Sequence, residues 1–262
     1  MPGFIIHILA VIIKQKQLNY LISKFHDTPG KDFSGKVLEE LNIKANYIGL
    51  ENLPDNPKCF FVANHPFGVA DGLIFLNTIA VKYNTLKAIG NEAFMFVPQI
   101  KTIIAAVNVF GKNSKDYIME LEKVYNSNEP IVHFPAGLVS RIIDGKIQDS
   151  EWQKSFVTKA IKCERDVVPI YFHGKNSNTF YSIFRIRKFL GIKTVLELML
   201  LPSELFKKKN KTITVVIGKP ISYKKFDNSR THSDWASWVK SELYYLKEQY
   251  SEEIKNTKNI KL

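Results

Sequence analysis

From about residue 46 onward, short runs of apolar and β-branched residues alternate with longer stretches that have apolar residues at helical spacing. The runs have the length of strands, and strands that alternate with helices are typical of a parallel sheet covered on both faces. The sequence therefore predicts an α/β fold with a largely parallel central sheet. Its predicted strands are Cys59–Ala63, Leu86–Ile89, Ala106–Phe110, Pro130–Phe134, Val167–Phe172 and Thr212–Ile217, and helices include Ser114–Tyr125, with Ser114 as N-cap, and Glu151–Cys163.

Residues 4–42 have the spacing of helices instead. This predicts a helical lead-in at 1–45, able to contact a membrane surface, before one domain at 46–262. Its apolar run from Phe4 to Ile13 would span about 15 Å as a helix, half the thickness of a bilayer core. The run is too short to cross a membrane, and either a core helix or a helix lying in the membrane interface fits it.

The chain is strongly basic, with a formal net charge of +12. A field of that sign attracts anions, so nucleic acid, anionic lipid headgroups and an acidic carrier protein all fit as partners. The two cysteines, Cys59 and Cys163, have neither zinc-site spacing nor a disulfide framework. Buried thiols in a reducing cytosol are the simpler interpretation.

The sequence FFVANHPFGVADG, from Phe60 to Gly72, contains the most informative polar residues. A predicted strand ends before His65, and Asp71 stands where the next helix would begin, so both belong to the edge where α/β proteins bind ligands. A histidine held by a carboxylate can take the proton of a substrate hydroxyl as that hydroxyl attacks a carbonyl. The alternative is an Asp71 that caps a helix beside an ordinary loop histidine.

Three further blocks follow this one in order: AIGNEAFMFVPQI with VNVFGK (88–112), HFPAGLVSR (133–141) and DVVPIYFHG (166–174). Together the four blocks resemble the glycerol-phosphate acyltransferase family, which includes enzymes that acylate lysophosphatidic acid. The resemblance covers residues 46–220. It implies the glycerolipid acyltransferase fold and an enzyme of lipid synthesis, with a His-Asp pair as general base.

The resemblance also implies the substrates and the site. The acyl donor would be acyl carrier protein or acyl-CoA, the acceptor would be the hydroxyl of a lyso-lipid, and neither a cofactor nor a metal would be needed. The catalytic pair would be His65 and Asp71. The residues expected to bind substrate are Asn64, Gly68, Lys112, Phe134, Pro135, Gly137, Ser140 and Arg141.

Two departures from the family pattern bear on the acceptor. Five residues separate His65 from Asp71, where four are usual, a spacing shared by the bacterial aminolipid and hemolysin-like branch. Ala136 takes the place of the third block's glutamate, and Lys112 is the nearest cation to the second block's arginine. Both changes favour a lyso-aminolipid of the ornithine or glycine type over lysophosphatidic acid.

Several polar residues have two interpretations. Arg141 could hold a phosphate, a carboxylate or the donor's phosphopantetheine, or could be a solvated loop arginine, and Lys112 is similar. His133 and His173, at the ends of predicted strands, are better explained as hydrogen-bonded core histidines than as ligands. Asn64, Gly68 and Gly72 fit a role in shaping the loop.

Two other classes of protein remain as alternatives. A binding protein for membranes or nucleic acid would explain the basic clusters at 185–188 and 207–211, although no nucleic-acid motif accompanies them. A lipid hydrolase would use the same pair with water. We predict that the chain is an acyltransferase bound peripherally at the cytoplasmic face of the membrane, through residues 4–13 and these basic clusters, with no nucleic-acid partner.

Overall fold

A computed structural model of the chain describes residues 3–107 and 115–259. Its strands are β1 Lys44–Ile48, β2 Cys59–Ala63, β3 Lys87–Asn91, β4 Ile104–Val107, β5 Ile131–His133, β6 Arg141–Ile143, β7 Lys146–Gln148, β8 Asp166–His173 and β9 Thr212–Ile217. Its helices are α1 Gly3–Ile12, α2 Gln15–Lys24, α3 Gly30–Glu40, α4 Ala70–Tyr83, α5 Lys115–Asn126, α6 Ser155–Cys163, α7 Asn178–Phe189, α8 Leu201–Phe206, α9 His232–Gln249 and α10 Ser251–Asn259.

Seven strands form one sheet in the order β1-β9-β8-β2-β5-β3-β4, and β6 and β7 form a separate antiparallel hairpin. The five strands from β8 to β4 are parallel to one another, β1 is parallel to β9, and β8 and β9 are antiparallel. The predicted α/β fold with a largely parallel sheet is therefore confirmed. β2 lies between β8 and β5, with all five residues buried, so the residues that follow it leave from the middle of the sheet.

Some predicted boundaries were wrong. β4 begins at Ile104, two residues before the predicted start, and residues 108–110 and the predicted cap Ser114 lie outside the described residues. α6 begins at Ser155 rather than at Glu151. The sequence did not predict β6 and β7, because three residues show little periodicity. It did not predict β1 either, because this strand is half-buried and does not form a continuous apolar run.

The two faces of the sheet bury alternate residues of each strand. Phe61 of β2 belongs to the core beneath α3 and α4, whereas Phe60 belongs to the opposite core beneath α6 and α9. Both side chains are fully buried. This two-sided burial explains why the strands are continuous apolar runs.

The three N-terminal helices differ in how much they bury. α3 packs against α4, and Leu21 of α2 is buried. α1 instead exposes its apolar residues: Phe4 is 66% exposed and Val11 is 57% exposed. None of the helices within 3–107 and 115–259 is long and apolar enough to cross a membrane. The division at residue 45 stays a prediction.

Candidate active site

Asn64 and His65 leave the sheet at the carboxyl end of β2. The Asn64 amide continues the sheet beyond the strand: its Nδ2 donates to the carbonyl oxygen of Phe172 (3.0 Å), and its Oδ1 accepts from the Phe172 N–H (2.7 Å). Asn64 is buried and bound to β8 in this way, which fits a role in shaping the loop. The predicted contact of Asn64 with substrate stays a prediction.

Asp71 is brought to His65 by the start of α4. His65 Nδ1 lies 3.2 Å from Asp71 Oδ2, a contact between a ring nitrogen and a carboxylate that is not aligned as a hydrogen bond. The fully buried carboxylate also accepts the N–H of Phe67 on Oδ2 and that of Gly72 on Oδ1, both at 2.8 Å. Asp71 thus stabilises the loop and the first turn of the helix while it contacts the histidine.

The third sequence block packs directly on His65. The Phe134 ring stacks on the imidazole with centroids 3.8 Å apart and planes 25° apart. Pro135 is buried, and Gly137 turns the chain with a φ of +68° while its N–H donates to the carbonyl oxygen of Phe134. Two blocks separated by about seventy residues therefore meet at one histidine.

Gly68 sits where the loop has no room for a side chain. Its φ is +87°, and a Cβ atom there would lie 2.7 Å from Leu201 Cδ2. Glycine is the residue that tolerates both the backbone conformation and the close approach. Gly68 also lines the cavity described below, and its predicted contact with substrate stays a prediction.

Asp149 is a site residue that the sequence did not reveal. Its Oδ1 accepts the main-chain N–H of His65 (3.2 Å) and the Ser140 hydroxyl (2.6 Å), and its Oδ2 accepts Trp152 Nε1–H (2.9 Å). The Ser140 N–H donates to the carbonyl oxygen of His65 (2.8 Å), so the backbone of His65 is held on both sides. Burial raises the pKa of Asp149. Ser140 positions the histidine through these contacts.

Arg141 is held by a buried ion pair and by aromatic rings. Its side chain is buried, its Nη2 lies 3.2 Å from Glu197 Oε1, and its guanidinium packs on the rings of Phe180 and Phe184. Glu197 also binds Arg187. The idea of a solvated loop arginine was wrong, and substrate binding by Arg141 stays a prediction, because a buried carboxylate already meets its charge.

Lys208, like Asp149, lies near the loop of His65 without having been predicted there from the sequence. It was assigned to a basic surface cluster, but its Nζ lies 4.6 Å from the centroid of the Phe67 ring and donates to the carbonyl oxygen of Lys175. Burial lowers the pKa of Lys208. This cation therefore lies beside the loop that joins His65 to Asp71.

Lys112 lies outside the described residues. Across 3–107 and 115–259, no group of three or more His, Cys, Asp and Glu side chains is placed to hold a metal ion.

An apolar cavity of about 260 Å³ opens beside His65. It is lined by the helices α2, α3 and α4, the strands β3 to β5, the short helical turn at 92–96, Leu205 of α8 and the loop that contains His65 and Gly68. Among the described residues that line the cavity, His65 alone has a titratable side chain. The side chains include Leu21, Phe33, Leu73, Leu76, Ile100 and Phe134. Such a cavity fits an extended aliphatic chain that ends at the imidazole.

His133 ends β5, and its side chain is half-buried. Burial lowers the pKa of His133 from 6.5 to about 4, and its Nδ1 has no hydrogen-bond partner in the described part of the chain. The hydrogen bond predicted for His133 is therefore not made through Nδ1 within the described residues, and its role in the core stays a prediction.

We expect His133 to make the fold sensitive to acid. In the unfolded chain it gains a proton as the pH falls below 6.5, whereas in the folded chain it stays neutral until about pH 4. The free energy of unfolding should therefore fall by about 3 kcal/mol between these pH values. Urea denaturation at pH 7.5 and 4.5 measures the change, and His133→Asn should lose less stability than the wild type over this interval. An equal loss in both proteins would contradict the assignment.

Comparison with known proteins shows the class of enzyme. The model of the Acyltransferase family matches residues 1–252, so the chain belongs to this family and is an acyltransferase enzyme of lipid biosynthesis.

Two characterised relatives cover nearly the whole chain. A lyso-glycine lipid O-acyltransferase of Phocaeicola vulgatus is 39% identical over 246 residues, which are 94% of this chain and 88% of the relative. A lyso-glycine lipid O-acyltransferase of Bacteroides thetaiotaomicron is 37% identical, over 94% of this chain and 90% of the relative. The predicted membership of the aminolipid branch is confirmed.

A solved structure shares the fold. The 1-acyl-sn-glycerophosphate (LPA) acyltransferase PlsC from Thermotoga maritima superposes with a TM-score of 0.53 over 90% of this chain and 82% of that one, at 17% identity. This likeness confirms the predicted glycerolipid acyltransferase fold.

Proposed function

We propose that the enzyme transfers a fatty acyl group from a thioester, on acyl carrier protein or CoA, to the hydroxyl of a lyso-glycine lipid. The observation that supports the reaction best is the His65–Asp71 contact at the end of an apolar cavity. The two relatives named for this acceptor support the choice of lipid. Ala136, in place of the glutamate of the glycerol-phosphate enzymes, agrees with a different headgroup.

In the proposed step, Asp71 stabilises the tautomer in which His65 Nδ1 carries the proton, and Nε2 takes the proton of the acceptor hydroxyl. The hydroxyl oxygen attacks the thioester carbonyl carbon, the carbon–sulfur bond breaks, and the imidazolium returns its proton to the leaving thiolate. The products are an ester and a free thiol. No side chain of the enzyme forms a covalent bond, and His65 is regenerated.

The acceptor proposal is tested with the purified full chain, one acyl-CoA and equal concentrations of lyso-glycine lipid and lysophosphatidic acid. Mass spectrometry measures the two esters, and acyl carrier protein replaces CoA in a parallel reaction. We expect at least about tenfold more acylated glycine lipid, since Ala136 replaces a glutamate that helps to hold the glycerol-phosphate acceptor in the family. Equal or greater acylation of lysophosphatidic acid would contradict the proposal.

We propose that the acyl chain lies in the cavity beside His65. Gly72 lines this cavity, and a Cβ atom at Gly72 would meet no atom within 4 Å. Gly72→Leu should therefore fold normally and fill the space next to the imidazole. We expect kcat/KM for a long-chain acyl thioester to fall about tenfold or more, with a smaller loss for a short chain.

Gly72→Ala is the matched control, because it adds one methyl group to the same open space. It should keep most of the activity with both donors. Equal losses for long and short donors in Gly72→Leu would show that the acyl chain binds elsewhere.

We propose that α1 holds the enzyme reversibly on anionic membranes. Phe4, Ile8 and Val11 recur at helical spacing and are each more than half exposed. Replacing all three by serine should weaken co-sedimentation with anionic vesicles by more than tenfold, because each buried aliphatic side chain contributes about 1.5 kcal/mol or more. Tyr245→Ser, at an exposed aromatic of α9, is the control and should bind normally.

Salt should act separately from these substitutions, since it screens the basic residues and leaves apolar contacts intact. The proposal would be contradicted if the triple serine variant bound vesicles as well as the wild type and if raised salt left wild-type binding unchanged.

A further inference from the structure

Beyond α1, a second part of the surface combines exposed apolar side chains with positive charge. Residues 177–206 form an arm: α7 leads outward, the chain turns at 190–195, and the segment 196–206 returns through a short helical turn and α8. Over its twelve residues α7 extends about 18 Å.

The root of the arm lies at the active site. Leu201 lies against Gly68, and Asn176, just before the arm, donates from its Nδ2 to the carbonyl oxygen of Phe67 (3.3 Å). Ser177 caps α7 and binds Glu204 of α8 through its N–H (2.7 Å) and its hydroxyl (2.6 Å). Packing and hydrogen bonds therefore join the arm directly to the loop that carries His65.

The turn at the tip has a fixed conformation. Gly191 follows α7 with a φ of +67°, its N–H donates to the carbonyl oxygen of Lys188, and the Ile192 N–H donates to that of Arg187. This is the usual way in which a glycine ends a helix. Glu197, fully buried, then joins Arg187 of α7 to Arg141 beneath the arm. The side chains at the tip are held outward by a built turn.

These outward side chains are apolar. Phe189 is 90% exposed, Leu190 is 61% exposed and Ile186 is 58% exposed, and Ile192 is 38% exposed beyond the turn. We refer to these four residues as the tip patch. Single exposed apolar residues are common on protein surfaces, but a contiguous group on one rigid turn indicates a binding surface.

The charges around the tip patch identify its partner. Residues 178–196 contain four basic residues and no aspartate or glutamate. Arg187 is paired with Glu197, whereas Arg185, Lys188 and Lys193 are exposed beside the patch. An aromatic and aliphatic tip rimmed by cations fits an anionic bilayer, in which the apolar side chains enter the headgroup boundary and the cations meet lipid phosphates. A second copy of the chain would bring equal positive charge to the same place.

We propose that the tip patch inserts into an anionic membrane as a second contact, separate from α1. The bilayer then holds the arm, and with it the loop of His65, against the surface that contains the lipid acceptor. This inference rests on the proposed function only for the nature of that acceptor, and the insertion can be measured without turnover.

The test places an environment-sensitive fluorophore (NBD) on Phe189→Cys in the full-length protein. The two native thiols are 1% and 7% exposed, so only the new cysteine should react. Vesicles of phosphatidylcholine with phosphatidylglycerol should shift the emission to the blue, and nitroxide groups on the lipid acyl chains should quench it. Tyr245→Cys, labelled in the same way, is the matched control, because Tyr245 is 58% exposed but stands between Glu242 and Glu248 in the sequence.

An unchanged emission at position 189 while the protein co-sediments with the vesicles would overturn the proposal. A shift caused without vesicles, by raised protein concentration or by acyl carrier protein, would overturn it too, in favour of a second copy or of the acidic carrier. Equal shifts at 189 and 245 would mean unspecific adsorption and would also contradict it.

A second measurement separates membrane contact from catalysis. Phe189→Ser/Leu190→Ser should lower activity on acceptor in anionic vesicles by about tenfold and leave activity in detergent micelles near the wild-type value. Equal activity of variant and wild type in vesicles would overturn the proposal. If the wild-type enzyme acylates no glycine lipid in either medium, the proposed acceptor fails, while the fluorescence result still decides whether the tip inserts.

Discussion

Replacing His65 by alanine is expected to lower kcat for acyl transfer by about 10²- to 10⁴-fold, the usual contribution of a general base. The hydroxyl of a lyso-lipid is a poor nucleophile until its proton is removed. Among the described residues that line the cavity, His65 alone has a titratable side chain. Phe134 stacks on its ring, and the Asp149 carboxylate accepts its main-chain N–H. Alanine removes the base and leaves these neighbours in place.

The measurement is steady-state kinetics with an acyl thioester and the lipid acceptor, together with circular dichroism and a thermal melt to show that the variant folds. His26→Ala is the matched control, because the side chain of His26 is 69% exposed and lies outside the site. The control should keep full activity. A folded His65→Ala enzyme with wild-type kcat would exclude His65 as the base.

Replacing Asp71 by asparagine is expected to lower kcat by about 10²-fold or more. Asparagine removes the charge that stabilises the imidazolium formed during transfer. It also brings an NH₂ group to a place where the carboxylate accepts N–H groups of Phe67 and Gly72 and contacts His65 Nδ1, so that two donors would face each other. Both changes disfavour the tautomer in which Nε2 can act as a base.

Asp55→Asn provides the control for this substitution. Asp55 is fully exposed and pairs with Lys82 on the surface, where an ion pair contributes little. Its replacement should leave kcat unchanged. An unaffected rate in Asp71→Asn would show that the extra residue in the His-x5-Asp loop has uncoupled the two side chains during turnover.

The sequence predicted the part of the site that is local in the chain. His65 and Asp71 are six positions apart, in a loop between a buried strand and a helix, and that geometry can be inferred from strand and turn patterns alone. The family resemblance added Phe134, which the fold stacks on the imidazole. The parallel sheet was predictable because its buried strands are continuous apolar runs.

The contacts that fix His65 from behind could not be predicted. Asp149 follows His65 by 84 residues, belongs to no recognised motif, and reaches the histidine only because the chain after the third block returns beneath the loop. The burial of Arg141 likewise depends on Glu197 and on two phenylalanines of α7. The sequence does not distinguish a solvated charged side chain from a paired one, because the tertiary fold determines which partner lies beside it.

The sequence predicted only some properties of the apolar run at 4–13 and of the basic clusters. The sequence showed that Phe4 to Ile13 is too short to span a membrane, but it left open whether the run is buried. In the structure Phe4, Ile6, Ile8 and Val11 are exposed. The basic clusters suggested one charged face. In the fold Lys207 pairs with Glu204 and Lys208 lies beside Phe67, so these two cations are less available to lipid than the sequence implied.

The proposed acyl transfer is tested by measuring both products of one reaction. Purified wild-type protein is mixed with an acyl-CoA and lyso-glycine lipid, a thiol reagent measures released CoA, and mass spectrometry measures the lipid ester and free fatty acid. We expect one ester for each thiol released, with both products lost in His65→Ala. Thiol release that yields free fatty acid without the ester, or ester formation that persists in folded His65→Ala protein, would contradict it.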